Sequence, residues 1–399
     1  MSARIVIIGG GPVGLALALA SAPLTGVEVM VIERGPAAND ILPEPFDHRV
    51  YALSSASLAM LTAIGVAFPS ARMARVRAMQ VFGDGEHSEE IGDSGNIGGG
   101  DRRRLDFDSG QPLAIIVEHA AIMQAMEARL REEGRVEFRR GMTPVAMRCL
   151  GANRRELTLS DGSKIEADLL VAADGSRSQI RDWAGIATSV KDYESDGVVA
   201  NFGTEYPHGD IARQWFTQDA VLAWLPLPGN HVSIVWSVGR EFSKVLPSND
   251  PDAFCRAVED AGRSSLGALS LVSPIARFPL SRVMAHDWAQ PGLALIGDAA
   301  HAVHPLAGQG VNLGFADVRN LVSVLQGRSA FSAIGDLAVL RRYERSAREA
   351  AWLVGETTDR LRSIYLSDAG SARWLRNEGI GLLNRLPAVK SLLIDYASR

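Results

Sequence analysis

Cysteine is nearly missing: the 399 residues hold two, Cys149 and Cys255, far apart in the chain. There is no CxxC pair and no Cys/His cluster, which argues against a zinc site and against a disulfide framework. Both cysteines read as small core residues. A basic field is missing too. Forty-one Lys and Arg face 46 Asp and Glu, a formal net charge of −5, so no global positive potential would favour nucleic acid. No uncharged apolar run makes a good spanning helix. Residues 5–20, IVIIGGGPVGLALALA, imitate a leader peptide. Three successive glycines interrupt them, however, and a complementary strand pattern, VEVMVIER, follows. No internal repeat, long disordered tail, Ser/His/Asp triad or paired-carboxylate pattern stands out. What is present, 47% hydrophobic and 22% charged residues, is ordinary for a soluble globular protein of two or three domains with an ample core.

The hydrophobic pattern gives strands at 4–8 and 27–32 around a helix at 13–21, a βαβ unit. Residues 51–65 and 117–132 read as helices, and the glycine-rich stretch between 91 and 112 as connecting chain. RELTLS and ADLLVAA are strands about the turn DGSK. In HVSIVWSV, Val232, Ile234, Trp236 and Val238 alternate with Ser233 and Ser237, which spells a sheet with one dry face. PGN at 228–230 turns it back onto VLAWLPL. Trp215, Phe216, Trp224 and Trp236 are either sheet core or the lining of an apolar pocket. LALI at 293–296 is one more buried strand, and the pattern after it is helical.

Three glycine-bearing segments carry the chemistry. GGGPVG places Gly9, Gly11 and Gly14 between a strand and a helix that opens with Pro12 and Val13, and the second strand ends in Glu33. Gly9 permits a tight turn, Gly11 lets a pyrophosphate approach, and Gly14 lets helix and strand close. The helix N-terminus offers free N–H groups to the anion, and Glu33 can accept from ribose hydroxyls. This points to a dinucleotide without choosing between NAD and FAD. The second segment, GDAAHAVHPLAGQGVNLG at 297–314, holds almost no bulk. Gly297 and Asp298 end a strand, where the carboxylate can meet a polyol, and a helix begins near Gly310, Val311 and Asn312. Its N–H groups can face a flat ring that gathers negative charge. His301 and His304 lie in this loop and suit hydrogen bonding better than a metal. The third segment puts Asp174 and Gly175 at a strand end, with Ser176 and Gln179 in a capping-box pattern.

These segments, in this order, resemble the class A flavoprotein aromatic hydroxylases, and most closely the ubiquinone-biosynthesis hydroxylases. FDHRVYALSSASLAMLTAIGV, WLPLPGNHVSIVWS and the C-terminal RRYERSAREAA extend the likeness nearly end to end. The resemblance implies an α/β fold, a Rossmann-like FAD domain of the para-hydroxybenzoate-hydroxylase type with an inserted mixed-sheet substrate domain and C-terminal helices. The segments would be 1–75, 100–183 and 275–345 for FAD, 76–99 and 184–274 for substrate, and 346–399 for the helical end. It implies that Gly9, Gly11, Gly14, Glu33 and Arg34 hold the ADP half of FAD and that Arg49 approaches the pyrophosphate. His119 would stand near the ribityl chain, where the family often has asparagine, and Val145 by the adenine. Asp174 would serve FAD and the nicotinamide donor, Asp298 the ribityl, and Pro305, Gly308, Gly310, Val311 and Asn312 the isoalloxazine.

The implied reaction needs no metal. NAD(P)H reduces bound FAD, O2 adds at C4a, and the hydroperoxide hydroxylates the aromatic ring of a polyprenylated phenol. A cytoplasmic location follows, with room for peripheral contact with the inner face of a membrane, a ubiquinone-biosynthesis complex or a second copy. The alternatives are a hydroxylase of soluble phenolics or secondary metabolites, and a non-catalytic FAD-binding assembly subunit.

Overall fold

The computed structural model describes residues 2–37, 41–83, 104–108, 110–217, 220–303 and 310–366. In chain order the elements are β1 (Ala3–Ile8), α1 (Pro12–Ser21), β2 (Val27–Glu33), β3 (Val50–Leu53), α2 (Ser55–Ala63), β4 (Met73–Val76), β5 (Ala78–Phe82), β6 (Arg104–Asp108), β7 (Ala114–Glu118) and α3 (His119–Glu133). There follow β8 (Val136–Arg140), β9 (Pro144–Leu150), β10 (Arg154–Leu159), β11 (Lys164–Ala167), β12 (Leu169–Ala172), α4 (Gln179–Trp183), β13 (Thr188–Thr204), β14 (Ile211–Phe216), β15 (Ala220–Leu227) and β16 (His231–Gly239). The last are α5 (Arg240–Val245), α6 (Pro251–Ala261), β17 (Leu269–Leu271), β18 (Ala276–Ala285), β19 (Ala289–Gln290), β20 (Leu293–Leu295), β21 (His301–Ala302), α7 (Gly310–Gln326) and α8 (Leu337–Leu366).

The first sheet runs β19-β20-β12-β1-β2-β8 and is parallel except at β19. Its central strands are buried on both faces, as parallel strands between helix layers are. Chain order reverses beside β1, with β2 on one flank and β12 on the other. That places a crevice at the carboxyl ends of β1 and β12, where doubly wound sheets bind ligands. The glycine turn after β1, the 174–178 loop after β12 and the 297–299 turn after β20 all open at this end.

The second large sheet takes β21, β18, β13, β16, β15, β14, β5 and β6 in that order, with β17 added on β13. It therefore includes residues 104–108 and 276–285, outside the segments expected for the substrate domain. One face packs Trp215, Trp224 and Trp236 against Phe254, Cys255 and Val258 of α6. These three tryptophans are sheet core rather than pocket lining, and Phe216 sits in a separate small cluster with Val81 and Val221. The opposite face is not the wet one the alternation suggested. Ser233 and Ser237 are both buried: Leu225, beside Ser233, packs with Phe46, Val50 and Ala52, and Val221, beside Ser237, packs with Val81, Leu105 and Phe216.

Three local expectations also change. Residues 51–53 are strand, paired with β7. The helix starts only after Ser54, whose hydroxyl accepts from the Ser57 N–H. Ser178, not Ser176, caps α4 by accepting from the Arg181 N–H. Cys149 is exposed and only Cys255 is buried.

Arg72 fastens the chain that leads into the DHR segment. Its Nη1 donates to the Pro43 and Pro45 carbonyls at 3.0 and 2.7 Å and to Glu118 Oε1 at 2.9 Å. Glu118, almost fully buried, accepts from the Asp47 N–H through its other oxygen. Arg72→Met would strand that carboxylate. The expected loss is about 3 kcal/mol, the low end for a broken buried pair, because burial already raises the Glu118 pKa and proton uptake relieves part of the cost. Urea unfolding of the two proteins measures it.

Candidate active site

The glycines after β1 are there for contact. A Cβ on Gly14 would collide with the Gly9 carbonyl oxygen, and one on Gly9, at φ +108°, would collide with the Ala173 carbonyl oxygen. Among the described residues a Cβ on Gly11 would meet nothing within 4 Å. Gly11 caps α1 with no side-chain hydrogen bond, Pro12 follows it, and the first N–H groups of the helix are left for an anion. Glu33 Oε2 accepts from Gly10 N at 2.6 Å and Oε1 from Gly35 N at 2.6 Å. The carboxylate is therefore fixed at the end of β2 with lone pairs to spare.

Val13 joins the distant motifs. A Cβ on Gly297 would lie 3.3 Å from its Cγ1, and one on Gly314 2.5 Å from its Cγ2. Alternation of small residues in 297–314 thus lets α1 and α7 close on each other around the turn. Gly297 itself holds φ +57°. Among the described residues nothing lies within 4 Å of a Cβ built on Gly310, at the N-terminus of α7 where the ring was expected. Asn312 contributes more than its N–H. Its Oδ1 accepts from Ser54 N at 3.0 Å and its Nδ2 donates to the Ala52 carbonyl at 2.8 Å, stapling α7 to β3.

Across the crevice stand Arg49, Tyr51, His119 and Asp298. The Arg49 guanidinium lies 5.2 Å from the Tyr51 ring centroid, and the Tyr51 hydroxyl is 3.3 Å from His119 Nδ1. Burial pushes Tyr51 up to about 12. Burial and then the Arg49 charge push His119 down to about 4. Both are neutral at pH 7, and they share one hydrogen bond whose direction the His119 tautomer sets. Asp298 is open to solvent yet surrounded by protein on most sides, as a group lining a cleft is. That enclosure raises its pKa; His301 and Arg49 lower it, and Asp317 raises it.

The raised value sets a pH dependence. Asp298 takes up its proton at a higher pH than an ordinary aspartate, whose value is 3.8. Only the ionised form accepts from two hydroxyls without a competing proton. Affinity for a polyol ligand should therefore fall with acid, on a limb above 3.8. In Asp298→Asn the limb should vanish. FAD titrations by fluorescence quenching across pH 4–8, an ordinary carboxylate-to-imidazole range, check it.

Asp174 lies at the end of β12. Its Oδ2 accepts from Ile180 N at 3.3 Å, while Oδ1 is buried without a partner among the described residues. Burial raises its pKa. Arg34 is exposed beyond β2, and Val145 is 53% exposed on β9. Pro305, Gly308 and His304 lie outside the described residues. Three side chains had no signal as site residues in the sequence. Arg181 donates to the Ala299 and Ser176 carbonyls, Asp317 accepts from Gly297 N, and Arg72 fastens residues 43–47. Each acts from behind the wall, and charged residues within helical runs look like solvated faces. Among the described residues no group of three His, Cys, Asp or Glu could hold a metal ion.

The donor set suits FAD: N–H groups at the start of α1, an orphaned carboxylate oxygen on Asp174, a carboxylate on the cleft wall, and a second helix N-terminus at Gly310. The family model for the FAD-binding domain matches residues 2–358. The 3-demethoxyubiquinol 3-hydroxylase of Escherichia coli is 32% identical over 99% of this chain and 98% of its own. The ubiquinone hydroxylase UbiL of Rhodospirillum rubrum is 32% identical over 99% of this chain and 89% of its own. Among solved structures, Pseudomonas aeruginosa PqsL superposes with a TM-score of 0.76 at 19% identity, over 95% of this chain and 99% of that one. The p-nitrophenol 4-monooxygenase PnpA of Pseudomonas putida gives 0.75 at 16%, over 100% and 98%. These last two show the fold. With the cradle and the end-to-end sequence match together, the chain belongs to the FAD-dependent aromatic-ring monooxygenases, in the branch of the ubiquinone-biosynthesis hydroxylases.

Proposed function

We propose that this enzyme hydroxylates the ring of a polyprenylated phenol on the way to ubiquinone. One atom of O2 enters the ring and the other leaves as water; NAD(P)H supplies two electrons. The reading is carried by the match to the 3-demethoxyubiquinol hydroxylase, which spans both chains almost completely. Bound FAD supplies the hydride acceptance and the oxygen chemistry. The chain supplies position: α1 takes the pyrophosphate, Asp298 the ribityl hydroxyls, and the N–H groups of Gly310, Val311 and Asn312 the ring edge where charge gathers. The test is turnover of the FAD-loaded protein with NAD(P)H, O2 and a short-chain prenylphenol. Hydroxylated product in a one-to-one ratio with NAD(P)H consumed supports the reading. Consumption that prenylphenols leave unchanged, alongside hydroxylation of a soluble phenol, overturns it.

A polyprenyl substrate resides in a bilayer, held by about 0.8 kcal/mol for each buried CH₂. No helix among the described residues is long and apolar enough to cross a membrane. We assign the membrane contact to residues 371–399, which lie outside the described residues and where leucines and Trp374 mix with Arg373, Arg376, Arg385 and Lys390. Deleting this segment from the full chain should abolish flotation with anionic liposomes while FAD binding persists; retained flotation removes the assignment.

A further inference from the structure

Behind the 297–299 turn, on its core side, lies a buried pair. Asp317 and His301 are 2% and 1% exposed. Asp317 Oδ2 stands 2.7 Å from His301 Nε2 and accepts from Gly297 N at 2.8 Å. The His301 ring lies against Trp288, with centroids 4.8 Å apart and 30° between planes. Its Nδ1 has no partner among the described residues.

An apolar pair of the same volume would avoid the desolvation cost and stabilise the core as well. It could not accept from Gly297. That N–H begins the turn that carries Asp298, and Gly297 sits in the left-handed region, where the backbone of a glycine is least restrained. Asp317 itself stands seven residues into α7, about 10 Å along the axis from Gly310. One oxygen atom thus ties the turn that carries Asp298 to the helix whose N-terminus the FAD reading sets at the ring.

We propose that Asp317, held in place by His301, is a positioning residue of the flavin site, fixing Asp298 and the N-terminus of α7 at the separation one flavin requires. The proposal rests on the FAD reading of the crevice. It makes cofactor affinity, rather than fold stability, the quantity that the pair controls.

The experiment compares the full-length wild type with Asp317→Ala, Asp317→Asn and the core control Leu321→Ala, a fully buried neighbour on the same helix. The readouts are the FAD dissociation constant, the visible circular dichroism of the bound flavin at saturation, and Tm. Loss of a hydrogen bond to a charged group should raise the Asp317→Ala dissociation constant about 10- to 100-fold and alter the dichroism. Asn can set its amide oxygen where Asp317 Oδ2 stands, accepting from Gly297 N–H and from the Nε2–H of His301, so Asp317→Asn should stay within about 5-fold of wild type. Leu321→Ala should lower Tm as much with little change in either flavin readout. Equal flavin readouts for Asp317→Ala and Leu321→Ala overturn the proposal, as does an Asn variant no better than Ala. Should Asp317→Ala fail to fold, His301→Leu takes its place. It leaves Asp317 bonded only to Gly297, and an unchanged dissociation constant there also overturns the proposal. Failure of the wild type to bind FAD would instead strike the FAD reading.

Discussion

Gly14→Ala should leave the protein without FAD and poorly folded, whereas Gly11→Ala should leave it folded but unable to bind FAD well. The two glycines belong to one motif and fail for different reasons. At Gly14 the added methyl would overlap the Gly9 carbonyl oxygen and crowd the Ala173 side chain at 3.4 Å. Neither neighbour is a flexible side chain; α1 must lift from β1, and every contact of Leu15 and Leu17 with the core loosens with it. The cost is at least about 3 kcal/mol, the upper range of overpacking, in the best-buried part of the molecule. At Gly11 the methyl meets nothing within 4 Å among the described residues, and φ of −73° suits alanine. The same space is the path of a phosphate toward the first N–H groups of α1. Circular dichroism melts and FAD titration separate the outcomes. An unfolded Gly11→Ala, or a Gly14→Ala that binds FAD normally, would show that the motif is arranged otherwise.

The glycine spacing made these contacts legible in the sequence because strand, glycines, helix and acidic residue occur within 30 positions. The same holds for the start of α7, where small residues precede a clear apolar repeat. Longer-range partners were not legible. Ser233 and Ser237 alternate with large apolar residues as an exposed face does, and nothing local reveals that Phe46, Val50 and Ala52 come from 180 residues away to cover that end of the sheet. Tyr51, Ala52 and Leu53 read as helix because they and the residues of α2 form one uninterrupted pattern; pairing with Val117, Ile116 and Ile115 decides otherwise. Asp317 and Arg181 are single charges within helical sequence. Burial, known only once the helices pack, turns them from solvated residues into supports of the turn.

Arg181→Lys should be nearly as damaging as Arg181→Met, which distinguishes a fork from a charge. The guanidinium is 5% exposed. Its Nη1 donates to the Ala299 carbonyl at 3.1 Å and its Nη2 to the Ser176 carbonyl at 3.0 Å. One planar group therefore bridges the loop after β12 and the turn after β20, residues more than a hundred positions apart that flank the same crevice. Methionine fills the volume but leaves the buried Ala299 carbonyl without a donor, a cost of about 1–3 kcal/mol, and frees the two loops from each other. Lysine carries the charge on a single nitrogen and cannot reach both carbonyls in the fixed geometry of the fork. It must also bury a more strongly hydrated cation. Both variants should lose much of the rise in Tm that FAD gives the wild type, because binding must then reassemble what Arg181 holds ready. Thermal unfolding at zero and saturating FAD reads this directly. A lysine variant with the full wild-type increment would mean that the charge alone orders the crevice and that the bridge between the two loops is incidental.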